Sequence, residues 1–386
     1  MTTEYSLHSA VPLRDVLPLA VAVMEEGIAR RLHLGVQIYV SRQGRVIADD
    51  AVGETRPEEA LTREHLMLLL SAGKPLTAVA VAQLWERGLL EFDDLVAKHL
   101  PEFAAGGKER ITIRQLLTHT GGFRNVDIGW PLAAWDESIR RICESPIEPN
   151  WVPGQRAGYH IASSWFILGE LVRRIDGRPF DVYLRDAICE PLGLGDLWNG
   201  MPVGRAAEYG ERLAPTFVSE NGGELQSWKY SDPKLATSCA PAGNTRGTAR
   251  GLGRFYETLL DGRLSGLRSE TIVEMTRPQR VGMFDETFQH VIDFGLGFIL
   301  NSRKHGAETV PYGYGPVASE MTFGHGGSQS SIAFADPQRD LVVVIVCNGR
   351  PGEGRHQRRM RQILEALDSD LQSHTNRVTY PGNGED

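Results

Sequence analysis

Two pairs of strand-like segments lie near the two ends of the chain. The apolar run GVQIYV (35–40) and the segment RVIADDAV (45–52) are separated by a short turn, which predicts a β-hairpin. The segments SSIAFAD (330–336) and LVVVIVC (341–347) flank another short turn and predict a second hairpin. Because hairpins at both ends can share one antiparallel sheet, we expect the chain to leave that sheet early and to return late.

Segments with helical periodicity flank these hairpins and fill the middle of the chain. Apolar residues recur at helical spacing from Pro12 to Leu34, and an amphipathic helix is predicted over roughly 356–371. Residues 76–241 are mostly helical in pattern and are broken by Gly and Pro turns. The prediction is a discontinuous α/β domain (1–75 and 242–371), an inserted helical domain (76–241) and a polar C-terminal tail (372–386).

Composition limits the class of partner. The 386 residues include 41 Lys and Arg and 49 Asp and Glu, so the net charge is −8, and there is no basic run. This balance argues against nucleic acid or an anionic membrane as the main partner. No apolar run reaches the ~20 residues that span a bilayer. Residues 16–24 are apolar but lack the flanks of a secretion signal, so we expect a cytoplasmic protein.

Cysteine and tryptophan are the two residue types whose distribution bears on function. The four cysteines are Cys143, Cys189, Cys239 and Cys347. None has Cys-x-x-Cys spacing, so we expect free, mostly buried thiols. Six of the seven tryptophans lie between Trp130 and Trp228. They either fill a helical core or, in part, form the walls of an acyl pocket.

The tetrapeptide SAGK (71–74) opens a predicted helix that ends at Gly88. Positions i and i+3 share a helix face, so the Ser71 hydroxyl and the Lys74 amine can meet. An unperturbed lysine, with a pKa near 10.4, is protonated at neutral pH. Burial can lower that pKa until the neutral amine takes the serine proton. A second Ser-x-x-Lys, at Ser231 and Lys234, precedes turn formers, so its side chains have no reason to face each other.

The segments around the first motif resemble the serine β-lactamase and penicillin-binding-protein-like superfamily, specifically the esterase- and transacylase-like members of its class C branch. The similarity runs in order through LLSAGKPLTAVAVAQLWERG, ITIRQLLTHTGGF, WVPGQRAGYHIASSWFILGELVRRIDGRPF and FGHGGSQSSIAFADPQRDLVVVIVCNG. It covers roughly residues 35–350. The resemblance implies an α/β plus α fold: an antiparallel sheet flanked by terminal helices, an inserted all-helical domain, and an active site in the cleft between them.

The resemblance also implies roles for individual residues. Ser71 corresponds to the nucleophile, Lys74 to its base partner, and Tyr159 to a tyrosine that relays the proton to the leaving group, as an anion or as a hydrogen-bonding partner. The backbone N–H groups of Ser71 and Ser328 would form the oxyanion hole. His119 corresponds to a structural position. The candidate substrate contacts are His160, Ile161, His325, Gly326 and Gly327.

Two positions depart from the family pattern. Ile161 stands where the family usually has an asparagine that binds an amide of the substrate, and isoleucine offers no such hydrogen bond. His325 stands where β-lactamases have a lysine. Both changes favour an esterase or acyltransferase over a β-lactamase.

The sequence therefore predicts acyl transfer through a serine acyl-enzyme. The donor is an ester, thioester or amide, and the acceptor is water, an alcohol or an amine. A D-amino-acid peptidase, a carboxypeptidase or a β-lactamase is the alternative enzyme, and a catalytically silent binding module on the same fold is the non-enzymatic alternative. Phosphate-loop, His-Glu-x-x-His and Gly-x-Ser-x-Gly motifs are absent, so no cofactor or metal is expected.

Overall fold

The computed structural model describes residues 11–219, 223–262, 264 and 266–379. Its α-helices are α1 (Leu13–Val16), α2 (Pro18–Ala29), α3 (Lys74–Glu86), α4 (Val96–His99), α5 (Ile113–Leu117), α6 (Trp135–Glu144), α7 (Ser163–Asp176), α8 (Phe180–Leu184), α9 (Val203–Tyr209), α10 (Ala249–Leu260), α11 (Ser269–Thr276) and α12 (Glu353–Thr379). Its strands are β1 (Gly35–Arg42), β2 (Arg45–Arg56), β3 (Glu59–Ala60), β4 (Met67–Leu68), β5 (Trp198–Asn199), β6 (Phe217–Val218), β7 (Gln226–Ser227), β8 (Thr245–Gly247), β9 (Phe284–Asp285), β10 (His290–Val291), β11 (Ile299–Leu300), β12 (Phe323–Gly327), β13 (Ser331–Asp336), β14 (Leu341–Cys347) and β15 (Gly349–Arg350).

A seven-stranded antiparallel sheet unites the two ends of the chain. Its strand order is β11-β12-β13-β14-β1-β2-β3, so the N-terminal hairpin pairs with the C-terminal hairpin through β1 and β14. Both predicted hairpins are confirmed. The first one turns at Gln43 and Gly44, whose φ angles of 52° and 68° are both positive, as the right-handed twist of a two-residue hairpin requires.

Both faces of this sheet are covered. Along β14, Val342, Val344 and Val346 pack into the core shared with α3, α7 and α10. The alternate residues Val343 and Ile345 pack into a second core with α2 and α12. Because each face meets a helical layer, the central strand is apolar at every position. The terminal helices therefore flank the sheet as predicted.

Two predicted helix boundaries are wrong. The N-terminal helix is interrupted at Leu17, where α1 ends and Pro18 begins α2. The C-terminal helix α12 continues to Thr379, whereas the sequence predicted a tail from residue 372. Polarity alone does not end a helix, and the first helix-breaking proline beyond this point in the sequence is Pro381.

The region predicted to be all-helical also contains short strands. It carries most of α3 and all of α4 to α9, but β5, β6 and β7 lie within it as well. The strand β6 pairs in parallel with β15, which follows the central sheet. Two-residue strands are too short to leave a period-two pattern, so the sequence did not reveal them. All four cysteines are free, as expected. Within the described ranges, every helix is too short or too polar to cross a membrane.

Candidate active site

The SAGK segment forms a tight turn between the central sheet and α3. Ser71 lies on a single 3₁₀ turn that leads directly into α3. Leu70, just before it, has a φ of 52°, a left-handed conformation that a non-glycine residue adopts at a cost of about 1 kcal/mol or more. Strand β13 holds the turn, since the Ser331 hydroxyl donates to the Leu69 carbonyl at 2.9 Å. The turn is therefore strained and fixed.

The amine of Lys74 is completely buried and faces three oxygen atoms. Its Nζ lies 2.9 Å from the Ser71 Oγ, 2.9 Å from the carbonyl oxygen of Ile161 and 2.5 Å from that of Ala242. Burial lowers the pKa of Lys74 well below its ordinary value. A neutral amine has two hydrogens and one lone pair, and the carbonyls can only accept. The lone pair is therefore left for the Ser71 hydroxyl.

The ring of Tyr159 lies close to the Lys74 amine. The Lys74 Nζ lies 5.2 Å from the centroid of the Tyr159 ring. Burial raises the pKa of Tyr159 above its ordinary value, against the opposite effect of the nearby Ser71 hydroxyl, and the charges of Asp285 and Glu353 raise it further. The raised pKa favours the protonated phenol in the resting protein. Its hydroxyl has no hydrogen bond of normal geometry to any described group.

A buried ion pair fixes the backbone of Tyr159. Its N–H donates to the Oδ1 of Asp285 at 3.0 Å, and its carbonyl accepts from the Thr287 hydroxyl at 3.0 Å. Asp285 lies 3.1 Å from the guanidinium of Arg280, and both side chains are buried. Sequence reasoning missed this ion pair. Nothing in the local pattern of residues 280–285 indicates that Asp285 is buried, or that it binds the backbone of Tyr159, 126 residues earlier in the chain.

His325 brings an uncharged ring to the site. It lies on β12 beyond the two residues that pair with β11, and its ring is 5.9 Å from that of Tyr159. Burial lowers the pKa of His325 to about 3. Its Nδ1 donates to the carbonyl of Gly326 at 2.8 Å. Its Nε2 has no partner among the described residues, so an unused lone pair remains beside the site.

The glycines after His325 serve contacts within the protein. A Cβ on Gly327 would lie 2.3 Å from the Leu69 carbonyl oxygen, and a Cβ on Gly326 would lie 2.0 Å from the Tyr312 ring. The sequence attributed both glycines to a close approach of substrate. The structure gives a different reason, because the turn at residues 69–71 and the Tyr312 ring already fill that space.

Ser328 follows β12 and is held by charged groups. Its hydroxyl donates to the Glu353 carboxylate at 3.2 Å and accepts from the Arg350 guanidinium at 3.3 Å. The N–H groups of Ser71 and Ser328 donate to no other group in the described part of the chain. Sequence reasoning missed Glu353, which begins α12, far from every motif. In the same residues no cluster of His, Cys, Asp and Glu side chains suitable for a metal ion is present.

Comparison with known proteins identifies the family. A family model described as "Beta-lactamase" matches residues 21–368. The chain belongs to the Beta-lactamase family. It is therefore a member of a superfamily of serine hydrolases that act by serine acyl transfer. The esterase/beta-lactamase LipL of Mycobacterium tuberculosis is 25% identical over 309 residues, which are 73% of this chain and 68% of LipL.

Two solved structures of this superfamily share the fold. The penicillin-binding protein homologue from Caulobacter crescentus has a TM-score of 0.73 and 28% identity, and the match covers 94% of this chain and 99% of that one. EstCE1, described as a hydrolase with promiscuous acyltransferase activity, has a TM-score of 0.77 and 22% identity, with 92% and 99% of the two chains covered. These matches confirm the predicted fold class.

Ile161, which departs from the family pattern, contributes a backbone carbonyl to the site. Its side chain is 65% exposed, and its carbonyl oxygen is the one that accepts from Lys74. His160, a predicted substrate contact, lies deep in the protein. It is fully buried, its Nε2 accepts from the Phe123 N–H at 3.3 Å, and its own N–H donates to the Nδ1 of His119 at 2.9 Å.

The Ser and Lys side chains of the second Ser-x-x-Lys motif do not pair with each other, as predicted. Ser231 and Lys234 fall on two separate 3₁₀ turns that are divided at Asp232. The Ser231 hydroxyl donates to the carbonyl of Trp228 at 2.8 Å rather than to the lysine. Without a continuous helix, the i, i+3 spacing does not bring the two side chains together.

Proposed function

We propose that this protein is a serine esterase or acyltransferase that carries its acyl intermediate on Ser71. The observation that supports this most directly is the 2.9 Å contact between Ser71 Oγ and the buried Lys74 amine, whose lowered pKa suits it to act as a base. EstCE1 and LipL, whose names include acyl transfer and esterase activity, are consistent with it.

In the proposed reaction, Lys74 and Tyr159 both transfer protons. The Ser71 proton passes to Lys74 as Oγ bonds to the acyl carbon, and the free N–H groups of Ser71 and Ser328 receive the oxyanion. The bond from the acyl carbon to the leaving oxygen then breaks. The Tyr159 hydroxyl gives that oxygen a proton and is reprotonated by Lys74. Water, an alcohol or an amine then reverses these steps on the acyl-enzyme.

Two features favour ester substrates over peptides and β-lactams. The exposed Ile161 side chain offers no hydrogen bond to a substrate amide, and His325 is neutral where a lysine would supply a positive charge to a carboxylate. The site loses discrimination for substrates that need those contacts. We therefore expect slow turnover of nitrocefin and of a D-alanyl-D-alanine peptide, and rapid nitrocefin hydrolysis would overturn this preference.

The first test is the covalent intermediate. We expect 4-nitrophenyl acetate to leave one acetyl group on the wild-type protein and none on Ser71→Ala, as measured by intact mass and peptide mapping. An adduct that persists in Ser71→Ala would place the nucleophile elsewhere. The absence of both adduct and turnover in the wild type would favour the silent binding module.

The acceptor is tested by product partitioning. The same ester is supplied with and without millimolar amine or alcohol, and acid is quantified against the transfer product. The proposal of acyl transfer predicts transfer product at the expense of acid. Acid alone across varied acceptors would restrict the enzyme to hydrolysis.

A further inference from the structure

A cavity beside the nucleophile is not used by the reaction described above. It has a volume of about 270 Å³, and Leu70, the residue before Ser71, forms part of its lining. Gly243 also lines it and directly follows Ala242, whose carbonyl binds Lys74. Tyr159, which protonates the leaving group, is not part of this lining. A substrate on Ser71 would therefore place its acyl group, and not its leaving group, in the cavity.

Three aromatic side chains shape the cavity. Trp130 stacks on Tyr230 with their ring centroids 6.0 Å apart, and Trp228 meets Tyr230 edge-on at 5.2 Å. Leu68 adds an apolar surface. Flat rings pack well against such walls, because stacked and edge-on aromatic pairs are favourable. A cavity of about 150 Å³ holds benzene, so this one has room for a ring and a substituent.

The charges around the cavity disfavour a cationic ligand. The guanidinium of Arg350 lies 3.9 Å from the centroid of the Trp228 ring, and the Lys229 amine lies 5.0 Å from that of Tyr230. Aromatic cages for ammonium groups depend on ring faces that are free of other cations. These two cations would repel a third. A cationic occupant is therefore disfavoured.

Two polar atoms of the lining lack partners. Asn244 is buried, and its amide nitrogen donates to the carbonyls of Leu235 and Ser238 at 2.7 and 2.6 Å, which fixes the orientation of the amide. Its Oδ1 then has no hydrogen-bond partner in the described residues, and neither has the indole N–H of Trp130. Buried polar atoms are rarely left unpaired. One accepts and the other donates, and a hydroxyl group can pair with either.

We propose that this cavity is the acyl-group site and that it takes an aromatic acyl group with a hydroxyl substituent, such as a hydroxybenzoyl group. The inference rests on the proposed function, because it assigns the acyl half of the same reaction. In the acylation step the bond from the acyl carbon to Ser71 Oγ forms, and its bond to the departing alcohol or phenol breaks.

The test compares esters that share one leaving group. The substrates are 4-nitrophenyl esters of hexanoic, benzoic, 3- and 4-hydroxybenzoic and 4-methoxybenzoic acids. Each kcat/KM is divided by the rate of the same ester with hydroxide, which removes differences in intrinsic reactivity. We expect benzoyl to exceed hexanoyl by about tenfold, and one hydroxybenzoyl ester to exceed methoxybenzoyl by about fivefold.

Variants separate the ring contacts from the hydrogen bond. Trp130→Phe keeps an aromatic wall but removes the N–H, so it should abolish the hydroxyl preference and keep the benzoyl preference. Tyr230→Leu should lower the benzoyl preference. Trp85→Phe, which changes a tryptophan far from the cavity lining, is the matched control and should change neither ratio.

The outcomes distinguish this inference from the proposed function. If hexanoyl and benzoyl esters react equally after normalisation, or if Trp130→Phe slows all esters in the same proportion, the acyl-site assignment is wrong while acylation stands. If no ester acylates Ser71 in the wild type, the proposed function itself fails.

Discussion

Lys74 owes its chemistry to the groups around its amine. Desolvation disfavours the ammonium form, and no carboxylate among the described residues forms an ion pair or a hydrogen bond with it to restore that form. The carbonyls of Ile161 and Ala242 take the two hydrogens of the neutral amine. The lone pair of the amine is then left for the Ser71 hydroxyl, as the proposed role of Lys74 as a base requires.

Replacing this lysine by arginine tests the base directly. We expect Lys74→Arg to reduce the acylation rate by about a hundredfold or more, because a guanidinium stays protonated and cannot take the serine proton. Tyr159→Phe should reduce it by a similar factor, since the leaving oxygen then lacks its proton donor. Pre-steady-state release of 4-nitrophenol measures both, with thermal denaturation to check folding. Near-wild-type acylation in Lys74→Arg would contradict the assignment.

The pH dependence of acylation follows from the same pKa. The rate should fall as the pH drops through the pKa of Lys74, since protonation removes the base, and the inflection should lie well below the lysine value of about 10.4. The pKa of His325 is about 3, so His325 does not titrate in this window. The inflection should therefore persist in His325→Asn. Its disappearance there would show that the histidine, and not Lys74, is responsible.

At the level of elements, the proposed site depends on how closely β12 approaches the turn at Ser71. Gly327 lies against the Leu69 carbonyl, and any side chain there would collide with it at 2.3 Å. The same strand leads to Ser328, whose N–H is a proposed oxyanion donor. The spacing between one strand and one turn therefore sets the geometry of the proposed oxyanion hole.

Enlarging this glycine should separate the two elements. We expect Gly327→Ala to lower kcat by about tenfold or more while KM changes less, because the displaced strand stabilises the oxyanion poorly. Gly204→Ala on α9 is the control, since a Cβ there meets nothing within 4 Å. Steady-state kinetics on one ester compares the two. Equal, small effects in both variants would argue against a close-contact requirement at β12.

At the scale of the whole molecule, buried histidines connect folding to pH. Burial lowers the pKa of His33, His160 and His325 to about 3 each, and the Arg359 guanidinium, which donates to the Nδ1 of His33, contributes to the shift at that residue. The unfolded chain binds these protons near pH 6.5, whereas the folded chain does so only near pH 3. Stability is therefore greatest above pH 6.5 and declines as the pH falls towards 3.

Removing one of these histidines should reduce that decline. His33→Gln takes away one proton bound by the unfolded state, so the dependence of the unfolding free energy on pH should weaken by about 1.4 kcal/mol per pH unit between pH 6 and pH 4. Urea denaturation at several pH values measures the slope. Above pH 7.5 the two proteins should show parallel curves. Equal slopes between pH 6 and pH 4 would contradict the role of His33.

The sequence by itself determined the features that depend on neighbouring residues. Periodicity located both hairpins, because alternation and turn residues act within a few positions. The i, i+3 spacing of Ser71 and Lys74, followed by a helix, predicted their contact, and the missing helix after Ser231 correctly excluded the second motif. The ordered motifs around them were sufficient to recognise the family.

Only the tertiary structure decided how these residues are charged and surrounded. The two carbonyls at Lys74 come from positions 87 and 168 residues away, and the carboxylate that holds Tyr159 comes from 126 residues away. Burial then raised the pKa of Tyr159 and enclosed His160 completely. Desolvation and long-range hydrogen bonds arise when distant segments pack together, and the local pattern around each residue carries no record of that packing.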